Sequence, residues 1–297
     1  MPPDYAVITP VRNEAEYLPL TIASMQRQTH PPKWWVLVDD GSTDNTAAIA
    51  EEAAEHLPWL KVIRRSNRGF RLAGKGVVDA FYDGYREVEN EPWAFVSKFD
   101  GDLSFDPDYF ERCLEKFAGE PRLGVGGGMC CFERDGQRHP EFTSDPPFHV
   151  RGPTKIYRRE CWQDIGGLLN VAGWDGIDEL KANLRGWESR TFPDIPLTHH
   201  RPTGSADGTW KNQTKFGRAN YIMGYHPLFM AAKIMRRALQ PPYLLGAAGL
   251  GVGYAGAWIR RIPQVNDPEL IRFVRAEQLK TLRGQPSLWR PNRASTV

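Results

Sequence analysis

A chain of 297 residues, 41% hydrophobic and 25% charged, has the material for one large α/β domain with an appendage or for two small domains, with a substantial buried core. Its four cysteines (Cys113, Cys130, Cys131, Cys161) lack paired metal-ligand spacing, and adjacent Cys130 and Cys131 suit no ordinary disulfide, which excludes a cysteine framework and points to buried thiols in a reducing compartment. The net charge of +2 hides an asymmetry: from Arg201 onward 15 Lys/Arg stand against 4 Asp/Glu, a surplus of +11, while residues 1–200 carry −9.

The N-terminus has no basic segment followed by a long apolar run, so no signal peptide is expected. Tyr5 to Thr9 reads as a strand stopped by Pro10, and Leu18, Ile22 and Met25 give Glu14 to Gln28 a helical spacing. The unit recurs. Trp34 to Val38 is a strand ending in Asp39-Asp40-Gly41-Ser42, and Thr43-Asp44 caps an Ala-rich helix running toward His56. Val62-Ile63 is a third strand, Gly74 to Glu89 a third helix, Trp93 to Phe99 a fourth strand, and Asp106-Pro107 opens a fourth helix. Such alternation predicts a mainly parallel sheet covered on both faces.

After Gly119 the pattern changes. Leu123 to Phe132 is a Gly-rich strand, and the polar, Pro-rich stretch from Glu133 to Pro153 is expected to be a loop over a site. Lys155 to Trp162 reads as a strand leading into a helix, Asp178 to Arg185 as a short helix, and Ser189 to Ile195 as a late strand stopped by Pro196. Residues 242–259 carry no charge and lie between Arg236-Arg237 and Arg260-Arg261. The run is marginally long enough to span a bilayer and contains small residues at helix-packing spacing, though its glycines weaken a helix in water. The flanking arginines favour contact with an anionic membrane surface over a buried helical hairpin.

Three polar motifs end strands: Pro10-Val11-Arg12-Asn13-Glu14, Asp39-Asp40-Gly41-Ser42, and Asp100-Gly101-Asp102. Asp-Gly-Asp alone makes an ordinary turn. With the other two on the same carboxyl edge of one sheet, it suits a divalent cation bridging a diphosphate. Asn67 to Gly76 adds a Gly-rich helix entry with Arg71 and Lys75, but Val77 follows Gly76, so it is not a Walker loop.

This combination resembles a family 2 glycosyltransferase over about the first 200 residues. The resemblance implies an α/β, Rossmann-like GT-A fold with a mostly parallel central sheet (residues 1–210) and a basic helical C-terminal region (residues 211–297). It also implies an inverting transfer from a nucleotide-sugar, a UDP-sugar in the first instance, to a glycan or lipid-linked acceptor. Pro10, Arg12, Asn13 and Glu14 match the family's first nucleotide-binding loop, and Asp40 matches the acid that accepts from the uracil imide. Arg71 and Lys75 are candidate diphosphate contacts. Asp100 and Asp102 match the acids that hold Mg²⁺ or Mn²⁺ and the diphosphate, with His200 preferred to His199 as an added ligand. The base is expected in Trp174-Asp175-Gly176-Ile177-Asp178-Glu179, with Asp178 first, Glu179 second and Asp175 third.

The expected location is the cytoplasmic face of a membrane. A polyprenyl-phosphate glycosyltransferase stays open as an alternative. A nucleotidyltransferase would need a glycine in the Pro10 to Glu14 loop, and the basic segment shows no nucleic-acid-binding signature, so no nucleic-acid partner is expected.

Overall fold

The computed structural model describes residues 3–69, 75–141, 145–201 and 208–291. Its first half keeps the strand–helix rhythm: β1 (Tyr5–Val11), α1 (Leu18–Gln26), β2 (Trp34–Asp39), α2 (Thr46–His56), β3 (Leu60–Arg64), α3 (Lys75–Tyr85), β4 (Phe95–Phe99), the short β5 (Leu103–Ser104) and α4 (Tyr109–Gly119). There follow β6 (Leu123–Arg134), β7 (Gln137–Pro140), β8 (Thr154–Arg158), α5 (Arg159–Ile165), α6 (Trp174–Leu184) and β9 (Glu188–His199). Four helices close the described chain: α7 (Gly208–Ile222), α8 (Pro227–Ala238), α9 (Tyr243–Ile259) and α10 (Pro268–Leu282).

The strands form one sheet in the order β3-β2-β1-β4-β8-β6-β9-β5, with β7 paired to β6. β3, β2, β1 and β4 are parallel neighbours, as the alternation predicts. β8 then enters antiparallel between β4 and β6, and β6 returns to parallel pairing with β9. The central parallel strands β1 and β2 read as nearly continuous apolar runs because both faces are covered. One face packs Trp35, Leu37 and Phe99 against residues of α1 and α4, and the other packs Ile8, Val36 and Val96 against Val78, Phe81 and Trp162. All four cysteines are buried and free, as expected.

Three boundaries differ from the sequence reading. The expected loop from Glu133 contains a hairpin: Asp135 (φ 53°) and Gly136 (φ 73°) turn β6 back into β7, the left-handed pair a two-residue hairpin needs. Strand β9 does not stop at Pro196. Its register against β6 jumps from Gly128↔Phe192 to Met129↔Pro196, so the prolines at 193 and 196 sit at a bulge where ladder N–H groups are dispensable. Finally, α6 begins at Trp174, one turn before Asp178, because Gly173 takes φ 84° and turns the chain into the helix early.

The C-terminal helices dock through small residues. A Cβ on Gly253 of α9 would lie 2.1 Å from the Thr214 carbonyl of α7, and one on Gly217 of α7 would lie 2.1 Å from the Leu250 carbonyl of α9. The small-residue spacing of 242–259 is thus spent on a helix of the same chain. Met223, Tyr225, Phe229, Leu270 and Val274 join Ile177 and Leu180 of α6 in a shared hydrophobic cluster. Among the described residues no helix is long and apolar enough to cross a membrane. The outward side of α9 is nevertheless apolar, with Leu244, Leu245, Val252, Trp258 and Ile259 exposed.

Candidate active site

The ends of β1 and β2 are stitched into one surface. The Asn13 N–H donates to Ser42 Oγ (2.9 Å), the Thr43 N–H to Asn13 Oδ1 (2.8 Å), and the Glu14 N–H to Thr46 Oγ1 (2.7 Å). Asn13 adopts φ 54°, a conformation its short polar side chain stabilises locally. Gly41 (φ 72°) is required twice over, since a Cβ there would also lie 2.5 Å from the Asn67 Cα. Arg12 donates to the Asp40 carbonyl and to Asn67 Oδ1 (2.9 Å). The Asp40 carboxylate is held by Arg65 (2.5 Å) and Arg68. Arg12, Asn13, Glu14 and Asp40 therefore come together, and Pro10 does not stop β1, which continues through it (register partner Val38) to Val11. Arg71 and the Lys75 side chain lie outside the described residues, as do residues 202–207.

One strand over, Asp100-Gly101-Asp102 follows β4. A Cβ on Gly101 would meet Val11 Cγ1 at 2.5 Å, so the acidic turn lies against the end of β1. β5 pairs antiparallel with β9, Leu103 opposite His199, and this brings the end of β9 to the acids. Asp100, Asp102 and His199 each offer one ligand atom, all within 4.8 Å of one another. His200, the expected ligand, is not in this group. His199 ends β9 turned inward, whereas His200, just past the strand, turns away, bonding Ser104 Oγ (2.7 Å) and stacking on Tyr17. The donor set of two carboxylates and an imidazole fits a divalent cation completed by phosphate and water.

The chain's own cations already surround these acids. Lys98, almost fully buried, pairs with Asp100. Arg201 joins Glu14 to Asp102 (3.3 Å to the latter), and His199 lies 3.5 Å from Asp102 and 2.5 Å from Glu141. Burial opposes ionisation of Asp102, but His199, Arg201 and Lys98 outweigh it and hold its carboxyl below the usual range. Burial likewise opposes charge on His199, yet its bonds to Asp102 and Glu141 raise it to about 10. Glu14 moves the other way, up to about 7, through burial and the nearby Asp102 charge.

The acids of α6 are arranged differently from expectation. Asp178 and Glu179 are 1% and 0% exposed and are bound to Lys155 Nζ at 2.9 and 2.6 Å, with Tyr157 on Asp178, and His149 and the Val150 N–H on Glu179. Both carboxylates are engaged by partners inside the fold. The early start of α6 places both acids in its second turn, on the inward face. Asp175, third in the expected order, occupies the first turn and is half-buried. Its carboxylate lies 3.5 Å from where a Cβ on Gly152 would be, beside Pro153, whose carbonyl accepts from the Asp100 N–H (3.0 Å). Lys155 also holds the Asp175 carbonyl. Lys98 and Lys155 face each other in the β4–β8 register, both near the Trp174 ring at 5.6 and 5.8 Å.

Sequence reasoning passed over Lys98, Lys155, His149, Glu141 and Arg201. The readable signal was a lysine inside each of two strand runs, Phe95 to Phe99 and Thr154 to Arg158, since a lysine is almost never buried without a partner.

Residues 6–167 match the family described as Glycosyl transferase family 2. An uncharacterized glycosyltransferase of Nostoc is 34% identical over 121 residues, covering 40% of this chain and 34% of that protein. Poly-beta-1,6-N-acetyl-D-glucosamine synthase of Staphylococcus aureus is 28% identical over 117 residues, 39% of this chain and 26% of the synthase. The matched stretch thus spans about a third or less of these curated relatives. Among solved structures, a mannosyltransferase of Pyrobaculum calidifontis in complex with GDP-Man and Mn²⁺ is similar with a TM-score of 0.58 at 19% identity, covering 96% of this chain and 80% of that one. S. aureus TarS (residues 1–349) in complex with UDP is similar with a TM-score of 0.51 at 18% identity, covering 95% and 92%. These two likenesses concern the fold.

Proposed function

Because this chain belongs to glycosyl transferase family 2, we propose that it moves a sugar from a nucleotide diphosphate sugar to a hydroxyl of a glycan or lipid-linked acceptor, with inversion at the transferred carbon. The observation that carries the reading is the convergence of three strand ends on one edge: Arg12 and Glu14 after β1, Asp40 after β2, Asp100 and Asp102 after β4. Asp40 accepts from the nucleobase, and Arg12 lines the same side. Asp100, Asp102 and His199 would hold Mg²⁺ or Mn²⁺, which would neutralise charge on the departing diphosphate. Arg201, between Glu14 and Asp102, adds a fixed positive charge at that edge.

Asp175 takes the acceptor proton. It is the acid of α6 that is neither fully buried nor spent on Lys155, and it lies behind the segment that carries Pro153 and supports Asp100. Asp178 and Glu179 position it through Lys155. The division of labour assigns residues 1–210 to transfer and 211–297 to attachment, with the exposed apolar side of α9 and its flanking arginines against an anionic surface, at the cytoplasmic face. A polyprenyl-phosphate acceptor is the second reading; being already an anion it would need no base.

A thermal-shift panel of UDP, GDP and their sugars, with and without Mn²⁺, tests the reading. UDP at 100 times its Kd should stabilise the protein by about 2.7 kcal/mol, and Asp102→Asn should remove the Mn²⁺-dependent part. A panel in which no nucleotide shifts the melting temperature would reject it.

A further inference from the structure

Lys98 lies inside the apolar strand Phe95–Phe99 and is 3% exposed. A buried ammonium persists only where it is paired. Its partner is Asp100, two residues on, and among the described residues each is the other's only ion pair. Side chains alternate along the strand, so Lys98 shares the face of Val96, which belongs with Trp174 of α6 to one hydrophobic cluster. The Trp174 ring lies 5.6 Å from Lys98 Nζ, and the cross-strand neighbour is Lys155, whose own charge is taken up by Asp178 and Glu179. A rigid strand beneath, an indole beside and a second lysine opposite leave the Lys98 ammonium directed to Asp100.

This pairing changes what the acidic cluster offers a metal. Lys98 on Asp100 and Arg201 on Asp102 (3.3 Å) set two fixed cations against the two carboxylates that, with His199, bring ligand atoms within 4.8 Å of one another. Lys98 acts on Asp102 through space as well, helping to hold its carboxyl below the usual range. A bare divalent ion entering here would share Asp100 with an ammonium that has no water to retreat into. Like charges so close in a poorly solvated site repel far more strongly than in water. A diphosphate reverses the balance, since its negative charge offsets Lys98 and Arg201 while its oxygens complete the coordination of the ion.

We propose that Lys98 is a positioning residue: as the resident counter-ion of Asp100 it holds that acid in place and keeps the cluster from retaining a divalent ion until a diphosphate is present. The inference rests on the transferase reading above and adds to it why metal and donor are held together. Electron paramagnetic resonance of Mn²⁺, in which the free ion gives a signal that binding removes, tests it on the full chain with and without UDP. Lys98→Met should tighten Mn²⁺ binding in the absence of UDP by about tenfold or more, and so shrink the gain that UDP brings. Lys98→Gln keeps a hydrogen-bond donor for Asp100 without the charge and should behave like Lys98→Met, while Lys98→Arg keeps the charge and should behave like the unaltered protein. A lysine with a purely structural role would rank the variants otherwise, with the glutamine close to the unaltered protein. Should Lys98→Met fail to fold, Lys98→Gln carries the test by a second readout, since Mn²⁺ alone should raise its melting temperature more than that of the unaltered protein. Mn²⁺ binding without UDP that is unchanged or weakened in Lys98→Gln, or tightened as much by arginine as by glutamine, would overturn the inference and leave the transferase reading standing. An unaltered protein that holds no Mn²⁺ even with UDP would instead reject the metal-assisted reading, and this inference with it.

Discussion

The α/β region and the α7–α9 helices reverse each other's use of charge and apolar surface. In the first, Lys98, Lys155, Asp178 and Glu179 are buried among aromatic and aliphatic side chains and matched to one another. In the second, small residues fill the helix contacts while Leu244, Val252, Trp258 and Ile259 face outward. Burying charge is costly unless every partner is in place. Its return here is rigidity: Lys155 fixes the first two turns of α6 and with them the Asp175 backbone. Exposing apolar side chains adds nothing to folding, so their presence in a continuous stripe points to a use after folding.

The sharpest way to break this contrast is Lys155→Met. It leaves Asp178 and Glu179 buried without their cation, and urea unfolding should show a loss of about 3–5 kcal/mol. Adding Asp178→Asn and Glu179→Gln should recover part of that loss, because the uncompensated charges go with the lysine. Asp175→Asn tests the other half of the division of labour. It should lower kcat by about 10²–10⁴-fold while the thermal shift with UDP and Mn²⁺ is unchanged. A mild loss of kcat would favour the anionic acceptor of the second reading.

The outward stripe should respond in the opposite way. Leu244→Glu combined with Val252→Glu should change unfolding stability by no more than about 0.5 kcal/mol per site, yet abolish co-flotation with vesicles rich in phosphatidylglycerol. Raising the salt should weaken flotation of the unaltered protein, since the flanking arginines act through screened attraction. Flotation indifferent to both changes would remove α9 from any membrane role.

The parallel half of the sheet was legible because strands covered on both faces must be largely apolar, and Tyr5 to Ile8 and Trp34 to Val38 are. The strand-end acids were legible for the same reason: Asp39, Asp40, Asp100 and Asp102 stop apolar runs abruptly. What could not be read was pairing between distant segments. His199 reaches Asp102 only because β5 pairs with β9 across nearly a hundred residues, and nothing local to Thr198-His199-His200 says which ring turns inward. Which α6 acids turn inward was decided over a single turn of helix by the left-handed Gly173. The hairpin at Asp135-Gly136 was a local signal outweighed by the prolines around it.

His149 offers the finest probe of the buried network. Burial disfavours its charged form, but Glu179 and, more weakly, Asp145 favour it, Lys155 opposing, and the net effect raises its pKa above the ordinary value of 6.5. A histidine whose folded pKa is raised binds its proton more tightly in the folded state, so its contribution to stability is complete below the unfolded pKa and fades as the pH climbs through the folded one. The melting temperature of the unaltered protein should therefore exceed that of His149→Gln most at about pH 6 and least at about pH 9. The glutamine can still bond Glu179 but carries no charge, so a gap that stays constant across this range would mean the imidazole is neutral and that Lys155 alone balances Asp178 and Glu179.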